Sequence, residues 1–112
     1  MQSGVIKMSL NIEKNKELTT VYLSGEIDHH SAKFIRNEID SVVTSLAPRE
    51  LALDFSAVTF MDSSGIGLVM GRYKLINSLG GKLYVKNVSP GTEKIMKLAG
   101  LDLLAKISSK EM

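Results

Sequence analysis

Apolar residues recur along this chain with two periods, one near two residues and one near 3.6. Leu10 to Glu13 is short and partly alternating, and Thr20-Val21-Tyr22-Leu23 is β-branched and aromatic before it stops at Ser24-Gly25. These two segments predict a pair of strands joined as a hairpin around Asn15-Lys16-Glu17. From Ser31 to Leu46 the period becomes helical. Phe34, Ile35, Ile39, Val42, Val43 and Leu46 fall on one stripe, while Lys33, Arg36, Asn37 and Asp40 lie off it. Asp28 or Ser31 would cap the start of that helix. Leu51 to Phe55 reads as a short apolar strand. Ser63 or Ser64 then opens a second helix, which runs to about Leu79 and is stopped by Gly80-Gly81. Lys82 to Val88 predicts another strand. Pro90 suits the first turn of a third helix, which runs to Ala99 and is stopped by Gly100. Leu101 to Ile107 is apolar, with a period that fits neither element decisively. Both prolines, Pro48 and Pro90, fall between periodic segments.

The resulting order is β-β-α-β-α-β-α. Strands separated by helices imply parallel pairing with right-handed crossovers, and the leading hairpin adds an antiparallel part. The expected fold is therefore α/β, a mixed β-sheet of four to five strands with its helices largely on one face. At 112 residues the chain is one domain. Residues 1–9 read as a loose N-terminal extension and the start of the first strand, with Met8 a candidate start, and residues 10–112 as the single domain.

Composition narrows the function classes. The chain is 44% hydrophobic and 23% charged, and its net charge of +2 comes from 14 basic and 12 acidic residues that are scattered along it. No basic stripe for nucleic acid and no polybasic membrane anchor is present. There are no cysteines, which excludes disulfides and thiolate metal sites. No apolar run approaches the ~18 residues of a membrane span, and Met1 to Ser9 lacks the apolar region of a signal peptide. A cytoplasmic protein is expected. With no unpaired apolar stripe or heptad, the free chain is expected to be a monomer.

The most informative segment is Phe60-Met61-Asp62-Ser63-Ser64-Gly65-Ile66-Gly67-Leu68. It joins a strand to a helix whose first amides have no partners. Asp and Ser are preferred there because their side chains accept from those amides, so the plainest reading is a helix cap. The same geometry holds a hydroxyl at the positive end of a helix, where a phosphate would meet free N–H groups. A phosphate on Ser63 or Ser64 adds roughly −1.5 to −2 charges, nearly cancelling the net +2 of the chain. Its effect would fall on a partner surface, through repulsion and desolvation. Catalytic motifs fit poorly. The third glycine of a dinucleotide loop would be residue 70, which is Met70; no Gly-Lys-Ser/Thr exists; and neither serine has Gly two residues before it.

Gly25-Glu26-Ile27-Asp28-His29-His30-Ser31 is the second segment of interest. His29 and His30 are the only histidines, and sequence neighbours rarely present both rings to one ion, so no metal site is expected. A triad of Ser63, a histidine and Asp28 lacks an oxyanion hole and a cleft. What remains is a capped loop or a partner-binding loop. The Asp28 and Ser63 loops share one sheet edge if the strands before them run parallel.

Together the two segments resemble the anti-sigma factor antagonists, the small single-domain members of the STAS family. Gly25 to Ala32 is similar to the family's first loop. Phe60 to Gly67, continued by Gly71-Arg72-Tyr73-Lys74, is similar to its phosphorylation loop and the following helix, and Gly80-Gly81-Lys82-Leu83 and Leu98-Ala99-Gly100-Leu101 fit its later turns. The similarity runs from about Leu10 to Ile107, and the Asp-His-His form is closest to the sporulation branch. The resemblance implies a ligand and kinase substrate without catalytic residues or cofactors. The unmodified protein would bind an anti-sigma factor with serine kinase activity and free the sigma factor it holds, regulating transcription without touching nucleic acid. Phosphorylation would end binding, and a serine phosphatase would restore it. The resemblance selects Ser63, the serine directly after the aspartate, as the acceptor. It implies partner contacts through Asp28, His29, Asp62, Ser64, Gly65 and Ile66. Relatives usually carry a longer C-terminal helix, so a short or missing one is expected here. Alternative readings are a STAS scaffold in a stress-signalling assembly, and a small Ser-dependent hydrolase or nucleotide-binding protein.

Overall fold

In the computed structural model, which describes residues 8–109, the hydrophobic pattern resolves into five strands and three helices. The extension expected over residues 1–7 lies outside the described residues, as do residues 110–112. Strand β1 (Met8–Asn15) turns through Lys16-Glu17 into β2 (Leu18–Ile27), which pairs with it antiparallel as Asn15 opposite Leu18. Helix α1 (His29–Leu46) leads to β3 (Glu50–Met61), α2 (Ser63–Ser78) to β4 (Lys82–Val88), and α3 (Pro90–Leu98) with a 3-10 turn (Leu101–Leu103) to β5 (Lys106–Ser109). The sheet order is β1-β2-β3-β4-β5, and every pair after the first is parallel. Strands that follow one another in sequence order through right-handed crossovers place their helices on the same face.

The register confirms which face is covered. Val21, Leu53 and Val85 stand side by side, as do Leu51 and Leu83, and all are buried. They form one core with Ile35, Ile39 and Val43 of α1, Leu68, Val69 and Ile76 of α2, and Met96 of α3. Each fully buried aliphatic side chain contributes roughly 1.5–3 kcal/mol. The opposite face carries Tyr22, Asp54 and Lys86 in one row, with Tyr84 donating a 2.7 Å hydrogen bond to Glu50.

Four expectations change in detail. The apolar stripe of α1 is narrower than its period suggests: Phe34 is 51% exposed and Leu46 is exposed as well, because the sheet covers only the arc centred on Ile35, Ile39 and Val43. Helix α1 starts at His29 because Asp28 is its N-cap, with Ser31 in the third helical position. Strand β3 runs past Phe55 to Met61, since β2 shifts register between Tyr22 and Ser24 and between Gly25 and Glu26 and so stays paired with it. The apolar stretch after Gly100 splits into the 3-10 turn and β5, and it forms no α-helix. Gly25 sits at φ 104°, a left-handed region that glycine enters freely, at the second of those shifts.

Candidate functional site

Parallel pairing of β2 and β3 brings the two loops of interest together. Ile27 stands opposite Met61, and the Asp62 amide donates to the Ile27 carbonyl at 3.1 Å. The strand that ends at Asp28 and the strand that ends at Asp62 thus finish side by side, as the parallel arrangement requires. Each is followed at once by a helix, so the positive ends of α1 and α2 emerge at one edge of the sheet.

Both helices open on an aspartate, but the two caps are built differently. Asp28 accepts from the amides of His30 (3.0 Å) and Ser31 (2.9 Å) through one oxygen. The Ser31 hydroxyl receives the Asp28 amide at 3.0 Å and donates to the Glu26 carbonyl at 2.9 Å. The box is therefore closed from both sides. The hydrogen bond from the Ser31 amide is the main reason the Asp28 carboxyl is held below its ordinary range; burial opposes it, and the His30 amide adds to it.

At α2 the Asp62 side chain accepts only the Ser64 amide, at 2.8 Å. The third helical position is Gly65, which has no side chain to answer the cap, and its amide bonds the Asp62 carbonyl at 3.0 Å. A Cβ on Gly65 would overlap the Met61 side chain, which would have to move to admit it. Among the described residues, the hydroxyls of Ser63 and Ser64 have no hydrogen-bond partner. Ser63 is exposed at the first helical position, and Ser64 is half-buried.

Of the expected contact residues, Ser63 and His29 are exposed, while Asp28, Asp62, Ser64 and Ile66 are half-buried, with Ile66 packed against the core. Gly65 is buried, and a Cβ there would meet the Met61 side chain. Phe60 is 52% exposed on β3, two residues before Asp62. Its exposure has no local signal, because it depends on how far β3 extends and on what packs against it.

Among the described residues, Ser63, Asp28 and the two histidines form no hydrogen bond linking the serine to an imidazole or an imidazole to the Asp28 side chain. The His29 and His30 rings pack on each other with centroids 3.9 Å apart. The Asp28 carboxylate serves the cap amides rather than an imidazole. Among the described residues, no group of three or more His, Cys, Asp or Glu is placed to hold a metal ion. No described helix is long and apolar enough to cross a membrane.

Comparison with known proteins agrees with this geometry. Residues 9–111 match the STAS domain family. An anti-sigma F factor antagonist of Paenibacillus polymyxa is 33% identical over 107 residues, covering 96% of this chain and 92% of the relative. The solved structure of the anti-sigma factor antagonist SpoIIAA in its unphosphorylated form has a TM-score of 0.76 at 30% identity, covering 91% of this chain and 90% of that one. The phosphorylated form of the Bacillus cell fate determinant SpoIIAA has a TM-score of 0.71 at 30% identity, covering 91% and 93%.

Proposed function

Because the chain belongs to the STAS domain family, and to the regulatory, non-enzymatic relatives named as anti-sigma factor antagonists within it, we propose that it is a switch controlled by phosphorylation of Ser63. In its unmodified state it binds an anti-sigma factor that is also a serine kinase, and so frees the sigma factor. The kinase transfers the γ-phosphoryl group of ATP to the Ser63 oxygen; the serine proton is lost and ADP leaves. A phosphatase reverses the step by hydrolysis.

The observation that carries this reading is the Ser63 hydroxyl itself, exposed and unpartnered at the first position of α2. A hydroxyl locked into the fold, like that of Ser31, could be modified only by dismantling a cap. Ser63 can take a phosphate at no such cost, at a helix end whose dipole favours negative charge. That SpoIIAA has this fold in both its phosphorylated and unphosphorylated forms supports the same view. The added charge lands on the exposed first residue of α2, directly after the half-buried Asp62. A surface that docks there uncharged would meet a desolvation cost and repulsion of roughly 3 kcal/mol, a loss of affinity of about 100-fold.

Calorimetry with the purified anti-sigma kinase tests the proposal. Ser63→Ala binds like the unmodified protein and is not released by ATP, whereas Ser63→Asp binds poorly. Release of Ser63→Ala by ATP at the normal rate would reject the assignment.

A further inference from the structure

A groove of about 470 Å³ runs between α1 and α2, starting at Ser64 beside the Ser63 loop. Its α1 wall presents Lys33 and Arg36, and Arg72 rises from α2. The Arg72 side chain is only 8% exposed and touches Asp40 at 2.8 Å, without a well-aligned hydrogen bond between them. Asp40 neutralises one of the three cations. Lys33 and Arg36 are exposed, and neither forms an ion pair among the described residues. The groove thus keeps a local positive excess, and Arg36 and Arg72 are close enough to repel one another.

The α2 wall includes Gly67 and Gly71, one turn apart, beside Ser64, Leu68 and Arg72. Glycine inside a helix weakens it relative to alanine. Gly65 has a reason to be glycine, since a Cβ there would overlap Met61. A Cβ on Gly67 or Gly71 would meet nothing within 4 Å. The fold does not use the space that these two residues leave open, and positions without a side chain let a second backbone come close.

We propose that this groove receives an acidic helix or loop of the anti-sigma factor, whose carboxylates face Lys33, Arg36 and Arg72 while its backbone lies against Gly67 and Gly71. The inference rests on the switch function proposed above and extends that interface from the Ser63 loop along α2. Cations that line a docking cleft speed association and make it salt-dependent, and reversing them costs affinity mainly at low ionic strength.

The test measures binding of the unphosphorylated chain to the purified anti-sigma kinase at low and high salt. Lys33→Glu with Arg36→Glu is expected to weaken binding by about 10- to 100-fold at low salt and to flatten the salt dependence, with an unchanged melting temperature. Gly67→Ala with Gly71→Ala is expected to raise the melting temperature while weakening binding at least about tenfold, a pairing of effects that a purely structural role would not produce. Charge-reversed and glycine variants that bind like wild type, while Ser63→Asp does not, would overturn the groove and leave the switch intact. A wild-type chain that does not bind the kinase at all would overturn both.

Discussion

Two helix starts, one strand apart and each led by aspartate, show how the same local chemistry yields a closed cap in one place and unbonded hydroxyls in the other. At α1 the third helical position is Ser31, which closes the cap through its own hydroxyl. At α2 that position is Gly65, where a Cβ would meet the Met61 side chain; the cap is one-sided and the hydroxyls beside it remain unspent. Position by position, His29, His30 and Ser31 stand where α2 has Ser63, Ser64 and Gly65. A serine is therefore structural when its hydroxyl is bonded into the fold and available for modification when it is not.

The largest expected effect sharpens that contrast. Ser63→Asp should lower affinity for the anti-sigma kinase by about 100-fold, or roughly 3 kcal/mol, with the melting temperature nearly unchanged, because a negative charge at a helix N-terminus is favourable. Binding by calorimetry and melting by circular dichroism measure the two halves of this statement separately.

The next change tries to make the second loop like the first. Gly65→Ser places a hydroxyl where Ser31 has one, but its Cβ must displace Met61. The expected outcome is a loss of about 1–3 kcal/mol in chemical denaturation rather than a stronger cap. A stabilised Gly65→Ser would show that the asymmetry is not steric.

Removing each hydroxyl comes third. Ser31→Ala should cost about 1 kcal/mol, because it opens a two-sided cap. Ser63→Ala should stay within about 0.5 kcal/mol of wild type, as for a surface change that breaks no contact. Equal costs in urea unfolding would erase the distinction between the two loops.

The smallest effect is in the pH dependence. The Asp28 carboxyl is held below its ordinary value, first by the Ser31 amide. A lowered folded-state value means that the unfolded chain takes up the proton more readily. The contribution to stability is therefore complete above the unfolded value of about 3.9 and is lost as pH falls through the lower, folded one. The difference in melting temperature between wild type and Asp28→Asn should be present at neutral pH and should close on acidification below about pH 4. A difference that persists at the lowest pH would assign it to shape rather than charge.

Much of this was legible in the sequence, for identifiable reasons. The helical period of residues 31–46, the stops at Gly80 and Gly100 and the strand at Lys82–Val88 are local signals, and the structure reproduces them. The Asp62-Ser63 motif was visible because capping is written within four residues. What escaped depends on contacts distant in sequence. Which part of the α1 arc faces the sheet is decided by the sheet, so Phe34 looked buried and is exposed. The length of β3 depends on shifts in its neighbour β2. The Arg72–Asp40 contact and the groove beside it join residues on two different helices, and no short motif encodes them. Phe60 carries the same lesson, since an apolar residue in a strand does not declare which face is left open.

The most direct test of the central claim is to incubate the wild-type chain, Ser63→Ala and Ser64→Ala with the anti-sigma kinase and ATP, and to map the incorporated phosphate by mass spectrometry. One phosphate is expected on Ser63 in wild type and in Ser64→Ala, and none in Ser63→Ala. Undiminished incorporation into Ser63→Ala, at Ser64 or elsewhere, would contradict it.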